Sequence, residues 1–377
     1  MSKITFFHCG DIHFDIPFTT LSNRPGLPGQ RRQDIRDSFL TMIEQVRKEK
    51  PDFLFIAGDL FEHEYSNLRT MTWINERFCD IEETKVVMIA GNHDPEANNS
   101  FYKTMNWNSN VYYLGEESNR IYFEENNCEI FGIGFGPGYG QSIKLNDMVC
   151  ETNRINVLLF HGDVDIDIGN RDYNAVSSNV LESKGFDYIA LSHNHKFRDD
   201  YGKSRIIHNA GSLEALGFDE QGAHGFIKGV IDNKRLDTSF VSLGQSKYVN
   251  LKINVEDIAD EVQLIELIKS KLSEQPLLYR IVLTGKKSIA TVFDLNSIEK
   301  KLEEEVLFLR IKDETKIKKN YDDTLQTGGL RNSFIKKIKE RMETDNEEER
   351  EILNLALIYG LQAIEEEKVE TGIEGQI

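Results

Sequence analysis

Five short apolar runs in the first 200 residues each end in a cluster of Asp, His or Asn side chains. The clusters are "GDIH" at 10–13, "GDLF" at 58–61, "GNHD" at 91–94, "HGD" at 161–163 and "SHNH" at 192–195. In α/β sheets, ligands bind beyond the carboxyl ends of the parallel strands. The five clusters are therefore expected to meet at one edge and to form a single site.

Between these clusters, the sequence alternates between strand and helix patterns. The segment 31–50 has one apolar stripe at helical spacing, formed by Ile35, Phe39, Met42, Ile43 and Val46. Strands that alternate with helices favour an α/β domain, and the strand-rich stretch after residue 110 adds a second sheet. The pattern predicts a layered sandwich of two sheets flanked by helices.

The pattern changes near residue 246, and this change gives the predicted domain boundaries. Residues 1–245 are expected to form the main domain, and 246–312, with three strands and two helices, a small α/β domain. The charged, glycine-containing segment 313–330 is predicted to be a linker. Two helices are expected in 331–377, at about 332–343 and 346–368.

The composition of the chain indicates which kinds of partner it can bind and in which compartment it works. A formal net charge of -18 repels nucleic acid and anionic membranes at long range, so a phosphate substrate needs a local cationic site. The four cysteines are scattered without a CxxC pair, which argues against a zinc knuckle or disulfide framework and favours reduced thiols in the cytoplasm. We find neither a signal-peptide pattern nor an apolar stretch of about 18 residues in this sequence. We therefore predict no membrane association.

The residue types in the five clusters are those of metal ligands. A tetrahedral zinc site needs three or four ligands, whereas the clusters offer at least seven candidates. Two ions about 3.5–4 Å apart can share a carboxylate and clamp an in-line displacement at phosphorus. Mixed carboxylate, amide and imidazole ligands suit manganese or iron better than a thiolate-preferring metal. Glycines before Asp59 and Asn92 would let the backbone turn sharply there.

Three histidines outside this set have simpler interpretations. His8 lies inside the first strand pattern and is predicted to pack in the core. His63 and His224 are interpreted as incidental loop histidines.

The order Asp-x-His, Gly-Asp, Gly-Asn-His-Asp, His and His-x-His resembles the signature of the calcineurin-like metallophosphoesterases. Within them, the chain is similar to the SbcD-type, YhaO-like DNA repair nucleases. The segment "NAGSLEALGFDEQGAHGF" at 209–226 resembles the stretch that follows the last motif of this family. The resemblance implies a four-layer αββα metallophosphoesterase sandwich with a small α/β capping domain and a C-terminal helix pair that docks an ATPase.

The resemblance also assigns roles to residues of the five clusters. The implied metal ligands are Asp11, His13 and His195 for one ion, Asn92, His161 and His193 for the other, and Asp59 as the bridge. His93 would be the catalytic histidine near the leaving oxygen, and Asp94 would orient it. Flanking cations that could hold the nucleic-acid backbone are Arg31, Arg32, Arg69, Lys196 and Arg198.

The implied function is a manganese-dependent DNA exo- and endonuclease in DNA repair that uses two divalent ions, with Fe²⁺ or Mg²⁺ as other candidate ions. The implied partners are DNA, an SMC-like ATPase of the SbcC type and a second copy of the chain. Two alternatives stay open from the residues alone. They are a phosphodiesterase or phosphatase for small nucleotides, and an inactive scaffold that kept the fold.

Two positions depart from the pattern of the family. Ser192 stands where a glycine is usual before the His-x-His motif. Glu62 stands where many members have a histidine that orients the phosphate, and His63 follows one residue later. His63 is therefore also a candidate for contact with the substrate.

Overall fold

The protein is described by a computed structural model. The described residues are 2–116, 118–136, 145, 148–165, 174–288, 291–318, 330–342, 349, 352–353, 355–357 and 359–360.

Twelve strands and four helices precede residue 246. The strands are β1 Lys3–Cys9, β2 Phe53–Ile56, β3 Lys85–Met88, β4 Val111–Tyr113, β5 Arg120–Phe123, β6 Cys128–Ile133, β7 Ile155–His161, β8 Tyr188–Ser192, β9 Arg198–Tyr201, β10 Ile207–Asn209, β11 Ala223–Asp232 and β12 Arg235–Gln245. The helices are α1 Leu27–Glu49, α2 Leu68–Cys79, α3 Phe101–Thr104 and α4 Ser178–Glu182, with a 3₁₀ turn at Thr19–Leu21. These counts cover the described residues.

Two six-stranded sheets carry the site, with strand orders β12-β11-β1-β2-β3-β4 and β5-β6-β7-β8-β10-β9. In the first sheet β1, β2, β3 and β4 run parallel, and in the second β6, β7, β8 and β10 run parallel. Their carboxyl ends therefore share one edge in each sheet. This arrangement places the five polar clusters together, as the sequence predicts.

Alternating side chains of the strands build a layered core. On β1, Ile4 and Phe6 face the second sheet and join its residues Val157 and Leu159 in one cluster. The other face of the first sheet packs against the apolar sides of α1 and α2. The outer face of the second sheet forms a separate cluster that includes Leu181 of α4. The predicted sandwich of two sheets between helices, a mixed α/β fold, is confirmed.

Helix α1 begins four residues before its predicted start. Pro28 lies in its first turn, where a missing backbone N–H costs nothing. The helix ends at Glu49, and Lys50 adopts a left-handed conformation with φ 49° before Pro51. The predicted apolar stripe is buried as expected.

The remainder of the described chain contains five strands and three helices. They are β13 Tyr248–Asn254, α5 Glu261–Lys269, β14 Leu278–Thr284, β15 Lys286–Lys287, α6 Leu295–Lys301, β16 Phe308–Asp313, β17 Lys316–Ile317 and α7 Leu330–Met342. Strands β13, β14 and β16 form a three-stranded sheet, and β15 pairs with β17. These three strands and the helices α5, α6 and α7 correspond to the predicted elements. Most of the second predicted C-terminal helix lies outside the described residues, although those described between 352 and 360 are helical.

The chain divides into two compact units. Unit 1 comprises 1–252, 267–282 and 295–312, and unit 2 comprises 253–266, 283–294 and 313–377. The predicted boundaries at 245, 312 and 330 stay a prediction about domains. None of the helices in the described ranges is long and apolar enough to cross a bilayer.

Candidate metal centre

The strand ends that carry the site have unusual backbone conformations. Asp11, His13 and Asp59 have φ values of 47°, 53° and 51°, and His193 has a φ of 122°. Such conformations cost a non-glycine residue about 1–3 kcal/mol each and cluster at functional sites. The backbone therefore turns sharply at the end of β1, β2 and β8, where these side chains are needed.

Glycine is required before Asp59 and before Asn92 because other parts of the chain approach closely at both positions. Gly58 has a φ of 99°, and a Cβ there would lie 2.4 Å from Nδ1 of His161. A Cβ on Gly91 would lie 2.1 Å from Oδ1 of Asp59. Of the two, Gly58 has the positive φ that fits the predicted sharp turn, and at both positions the missing Cβ leaves space for a candidate ligand.

Asp11, His13 and His195, here called group A, converge from β1 and from the loop after β8. Their candidate ligand atoms lie within 4.8 Å of one another, and Nε2 of His13 lies 3.2 Å from Nε2 of His195. Nδ1 of His13 donates to Oε1 of Glu62 at 2.8 Å, and Nδ1 of His195 donates to Oε1 of Glu220 at 2.7 Å. Because carboxylates only accept, these bonds leave each Nε2 lone pair for a cation.

Asn92, His161 and His193, here called group B, meet on the other side of Asp59. Oδ1 of Asn92 lies 3.0 Å from Nε2 of His161 and 3.0 Å from Nδ1 of His193. Nδ1 of His161 donates to the Ala57 carbonyl oxygen at 2.8 Å. That bond fixes the tautomer in which Nε2 points at Asn92 with its lone pair.

Asp59 lies between the two groups. Its Oδ2 is 3.6 Å from Nε2 of His13 and 3.4 Å from Nε2 of His161. Its Oδ1 accepts the backbone N–H of His93 at 2.8 Å. Burial raises the pKa of Asp59, but His161 and His13 more than reverse this and hold the pKa below its usual range. One ionised carboxylate therefore faces both groups.

Two observations show that this set fits cations. Oδ1 of Asp11 is buried and has no hydrogen-bond partner within the part of the chain that the structure describes. A buried carboxylate oxygen is costly without a positive partner. Burial lowers the pKa of His195 and His161, but Glu220 and Asp59 respectively outweigh it and raise both values to about 9. The groups thus attract positive charge at the positions where the predicted ligands converge.

The calcineurin-like phosphoesterase family matches residues 4–197, just over half of the chain. The protein belongs to this family. The chain is 23% identical to the "Uncharacterized metallophosphoesterase YhaO" of Bacillus subtilis (strain 168), over 76% of this chain and 72% of the relative. It is 25% identical to the "DNA double-strand break repair protein Mre11" of Sulfurisphaera tokodaii, over 76% and 75%. It is 21% identical to a component of the nuclease SbcCD of Staphylococcus epidermidis, over 65% and 73%.

Glu62 of this phosphoesterase holds two histidines at once. Its Oε1 accepts from His13, and its Oε2 accepts from Nδ1 of His93 at 3.0 Å. Burial raises the pKa of Glu62, but its bonds to His13 and His93 lower it to about 2. Because both oxygens already serve hydrogen bonds, the close grouping of His13, Glu62 and His93 is a hydrogen-bonded triad. The predicted neighbour of the His93 ring was Asp94, and the structure places Glu62 there instead.

Asp94 organises the backbone of the two loops. Its carboxylate accepts from the Tyr102 hydroxyl at 2.6 Å and from the backbone N–H groups of Gly91, Asp59, Leu60 and Phe61. No bond from the His93 ring reaches it among the described residues. Burial and the Asp59 charge raise the pKa of Asp94 to about 6. Asp94 therefore fixes the loops that carry Asp59 and His93, and the expectation that it orients the His93 ring is corrected.

Two further carboxylates were missed by sequence reasoning. Glu220 holds His195, and Oδ1 of Asp163 lies 3.8 Å from Nε2 of His193. Asp163 was visible as the last residue of "HGD", and Glu220 as an acidic residue of the 209–226 segment. Neither position indicated which histidine it would approach.

Arg31 was predicted to contact substrate, and the structure contradicts this. Its side chain is fully buried, pairs with Asp34 at 2.5 Å and Glu214 at 2.8 Å, and donates to the Ala215 carbonyl at 2.9 Å. Arg31 lies four residues before Ile35, a residue of the buried stripe of α1. This helical spacing indicates that Arg31 lies on the same buried face. Arg31 is therefore a structural cation whose side chain is not accessible to a DNA backbone.

The other candidate cations are placed differently. Lys196 is exposed and lines a cavity of about 270 Å³ together with His193, His195 and Glu220. Arg69 is exposed on α2, and Arg32 is half-buried on α1. Arg198 is exposed, but it pairs with Asp200 at 2.5 Å.

Three further histidines, His8, His63 and His224, were interpreted from the sequence as core or incidental residues. His8 is buried, with Nδ1 2.8 Å from the Tyr188 hydroxyl, and burial lowers its pKa to about 3, so its core assignment is confirmed. His63 is half-buried, its backbone N–H donates to the His93 carbonyl at 3.0 Å, and its ring is not among the grouped ligands. His224 is not incidental, because its buried ring joins the Ser212 hydroxyl to the Glu220 carbonyl.

Proposed function

We propose that this phosphoesterase is a two-metal phosphodiesterase acting on DNA, a manganese-dependent exo- and endonuclease of DNA repair. The observation that carries the proposal is the convergence of groups A and B on the two sides of the Asp59 carboxylate. Relatives whose names state nuclease or double-strand break repair roles support the DNA substrate.

In this proposal, group A would hold one divalent ion and group B the other, and the Asp59 carboxylate, which faces both groups, would serve both. When bound, the two ions supply charge neutralisation at the phosphodiester and activation of the attacking water. The chain itself orients the ligand nitrogens through Glu62, Glu220 and the Ala57 carbonyl. The absence of a thiolate from this set favours manganese, with iron(II) or magnesium as the other candidates.

His93 is the proposed general acid at the leaving oxygen. Its ring is 44% exposed, so a substrate can reach it. Its Nδ1 is engaged by Glu62, so Nε2 remains to exchange a proton with the substrate. The Glu62 hydrogen bond raises the pKa of His93, which favours the protonated form that an acid needs.

The cationic surface needed by DNA is proposed to come from Lys196, Arg32 and Arg69, together with the two ions. Lys196 has the strongest support because it lines the same cavity as His193 and His195. Asp163 and Glu220 line that cavity too, so without the ions this surface is unfavourable for a phosphate backbone.

We further propose that an SMC-like ATPase of the SbcC type docks on 331–377, with 246–312 as the capping domain and 313–330 as the linker. In unit 2, Ile335 packs against Leu357, whereas Ile352 and Leu355 leave 64% and 50% of their surface exposed. Exposed apolar side chains on helical residues suit a partner that covers them. The homodimer and the cytoplasmic location belong to the same proposal, and the four free cysteines support the latter.

The test compares two substrates with and without manganese. The protein is stripped of metal, reloaded, and incubated with end-labelled linear DNA and with a simple aryl phosphodiester. We expect manganese-dependent cleavage of both, abolished by chelation and absent from an Asp59→Asn variant. The control variant separates this activity from a contaminating nuclease.

Each other outcome selects an alternative. Cleavage of the aryl ester without DNA cleavage would favour a small-nucleotide phosphodiesterase. Inactivity on both substrates, with manganese bound, would favour an inactive scaffold. Full activity after exhaustive metal removal would overturn the two-metal mechanism.

A further inference from the structure

Residues 218–220 join the small β13-β14-β16 sheet to the metal centre. At one end, Glu220 accepts the Nδ1–H of His195 with Oε1 at 2.7 Å. Its Oε2 accepts the backbone N–H of Leu216 at 2.9 Å, so the carboxylate is fixed within its own loop. Movement of this loop must therefore move the carboxylate that orients the His195 ring.

The other end of the segment is held by all three strands of the small sheet. The Phe218 ring lies 4.9 Å from that of Tyr248 on β13 and 6.0 Å from that of Phe308 on β16. Arg280 on β14 stacks over the Phe218 ring at 5.1 Å and pairs with Asp219 at 2.9 Å. All of these residues belong to unit 1.

Asn250 also holds the main chain of residues 218–220. Its Nδ2 donates to the Phe218 carbonyl at 2.6 Å, and its Oδ1 accepts Nε–H of Arg280 at 2.7 Å. Side chains of β13 and β14 therefore hold both the ring and the main chain of Phe218, two residues before the carboxylate that holds His195.

We propose that Glu220 is a positioning residue for His195 and that the small sheet sets its position through Phe218 and Asp219. The affinity of group A for a divalent ion then depends on contacts made by Arg280 and Asn250, which are not metal ligands. The inference rests on the proposed metal centre, but not on the DNA substrate. Its consequence is regulatory: a partner that displaces the small sheet would change metal binding at group A.

The proposal is tested by metal binding rather than by turnover. Full-length protein is titrated with Mn²⁺ by calorimetry and with Co²⁺ by its visible d–d spectrum, which reports ligand geometry. Glu220→Gln keeps the shape but weakens the acceptor, and should lower the affinity of the ion at group A by about 10–100-fold. Arg280→Ala should lower the same affinity by roughly two- to fivefold and change the cobalt spectrum in the same direction.

A matched control removes a paired cation of similar exposure whose partner lies outside 218–220. Lys269 pairs with Glu305 elsewhere in unit 1, so Lys269→Ala should leave metal affinity unchanged. In the Glu220→Gln background, Arg280→Ala should have no further effect, because the two changes act through one contact. Additive losses would mean a general effect on the fold and would overturn the link.

The outcomes separate this inference from the proposed function. If the wild-type protein binds no divalent ion, the proposed metal centre fails. If the wild-type protein binds two ions and Glu220→Gln binds them equally well, the positioning role fails. If Glu220→Gln weakens binding but Arg280→Ala and Asn250→Ala do not, the connection to the small sheet fails.

Discussion

Groups A and B each contribute two histidines to the centre, yet the surrounding chain holds these histidines differently. In group A, each ligand histidine donates to a carboxylate, Glu62 or Glu220. In group B, His161 donates to a backbone carbonyl, and Oδ1 of Asp163 lies 3.8 Å from Nε2 of His193. Group A also has a charged ligand, Asp11, where group B has the neutral Asn92.

This difference predicts unequal affinities for divalent ions. A carboxylate behind a histidine raises the basicity of the ligand nitrogen more than a neutral carbonyl does. Group A has more negative charge both in its ligands and behind them, so it should bind the first ion and hold it more tightly. Group B should fill second and lose its ion first during dialysis.

The largest effect is expected from a substitution of Asp59, the carboxylate between groups A and B. Asp59→Asn removes the charge that both groups face, so neither ion should be retained after desalting. Turnover should fall by about 10³-fold or more, because bound ions supply several kcal/mol of charge stabilisation. Elemental analysis of the desalted protein is the measurement. Retention of one ion at group A would mean that Asp59 serves group B alone.

His93→Ala should separate metal binding from chemistry. His93 is not a member of group A: its Nδ1 bonds Glu62 and its ring packs edge-on against His13 at 4.6 Å, so the metal content should stay at the wild-type level. Turnover should fall by about 10²–10⁴-fold, as expected when a general acid is lost. A depleted metal content in this variant would show that His93 is a ligand and would end its assignment as the acid.

Glu62→Gln should affect group A and leave group B nearly unchanged. The amide is a weaker acceptor for His13 and His93, so we expect the affinity of the tighter ion to fall by about 10–100-fold. The exposed neighbour Glu64 provides a matched control, and Glu64→Gln should bind both ions as the wild type does. Equal losses at both groups would break the distinction between them.

Metal loading should weaken as the pH falls, in both groups. His195 in group A and His161 in group B have pKa values raised to about 9, so below that pH each holds a proton that an ion must displace. The affinity should fall about tenfold for each pH unit below 9 and for each proton released. Calorimetry in buffers of different ionisation enthalpy measures this release. An affinity that does not change between pH 6 and 8 would contradict it.

The smallest effect is expected from a substitution of Asp163, the carboxylate near His193 of group B. Asp163 lies 3.8 Å from His193 in a partly exposed position, so Asp163→Asn should weaken the second ion by only about threefold. Calorimetric titration with manganese resolves this change from the tighter step. A loss as large as that of Glu62→Gln would show that both groups depend equally on their carboxylates.

The sequence by itself determined the layers and the set of candidate ligands. Each ligand lies within a few residues of the end of an apolar strand, and parallel strands bring such ends to one edge. Local periodicity therefore predicted the two sheets, the stripe of α1 and the meeting of the five polar clusters at one edge. The family signature then assigned metals to these residues, and the structure places the other six around Asp59.

Only the tertiary structure decided which groups form hydrogen bonds with the candidate ligands and hold them in place. His13 and Glu62 are 49 residues apart, and His195 and Glu220 are 25 apart, so no local pattern shows that they touch. His93 and Asp94 are adjacent in sequence, yet their side chains point to different partners because the turn separates them. Arg31 looked like a surface cation, but the packing of α1 buries it against Asp34 and Glu214. A hydrogen bond depends on the distance and direction between two atoms, and only the packing of the strands and loops sets these.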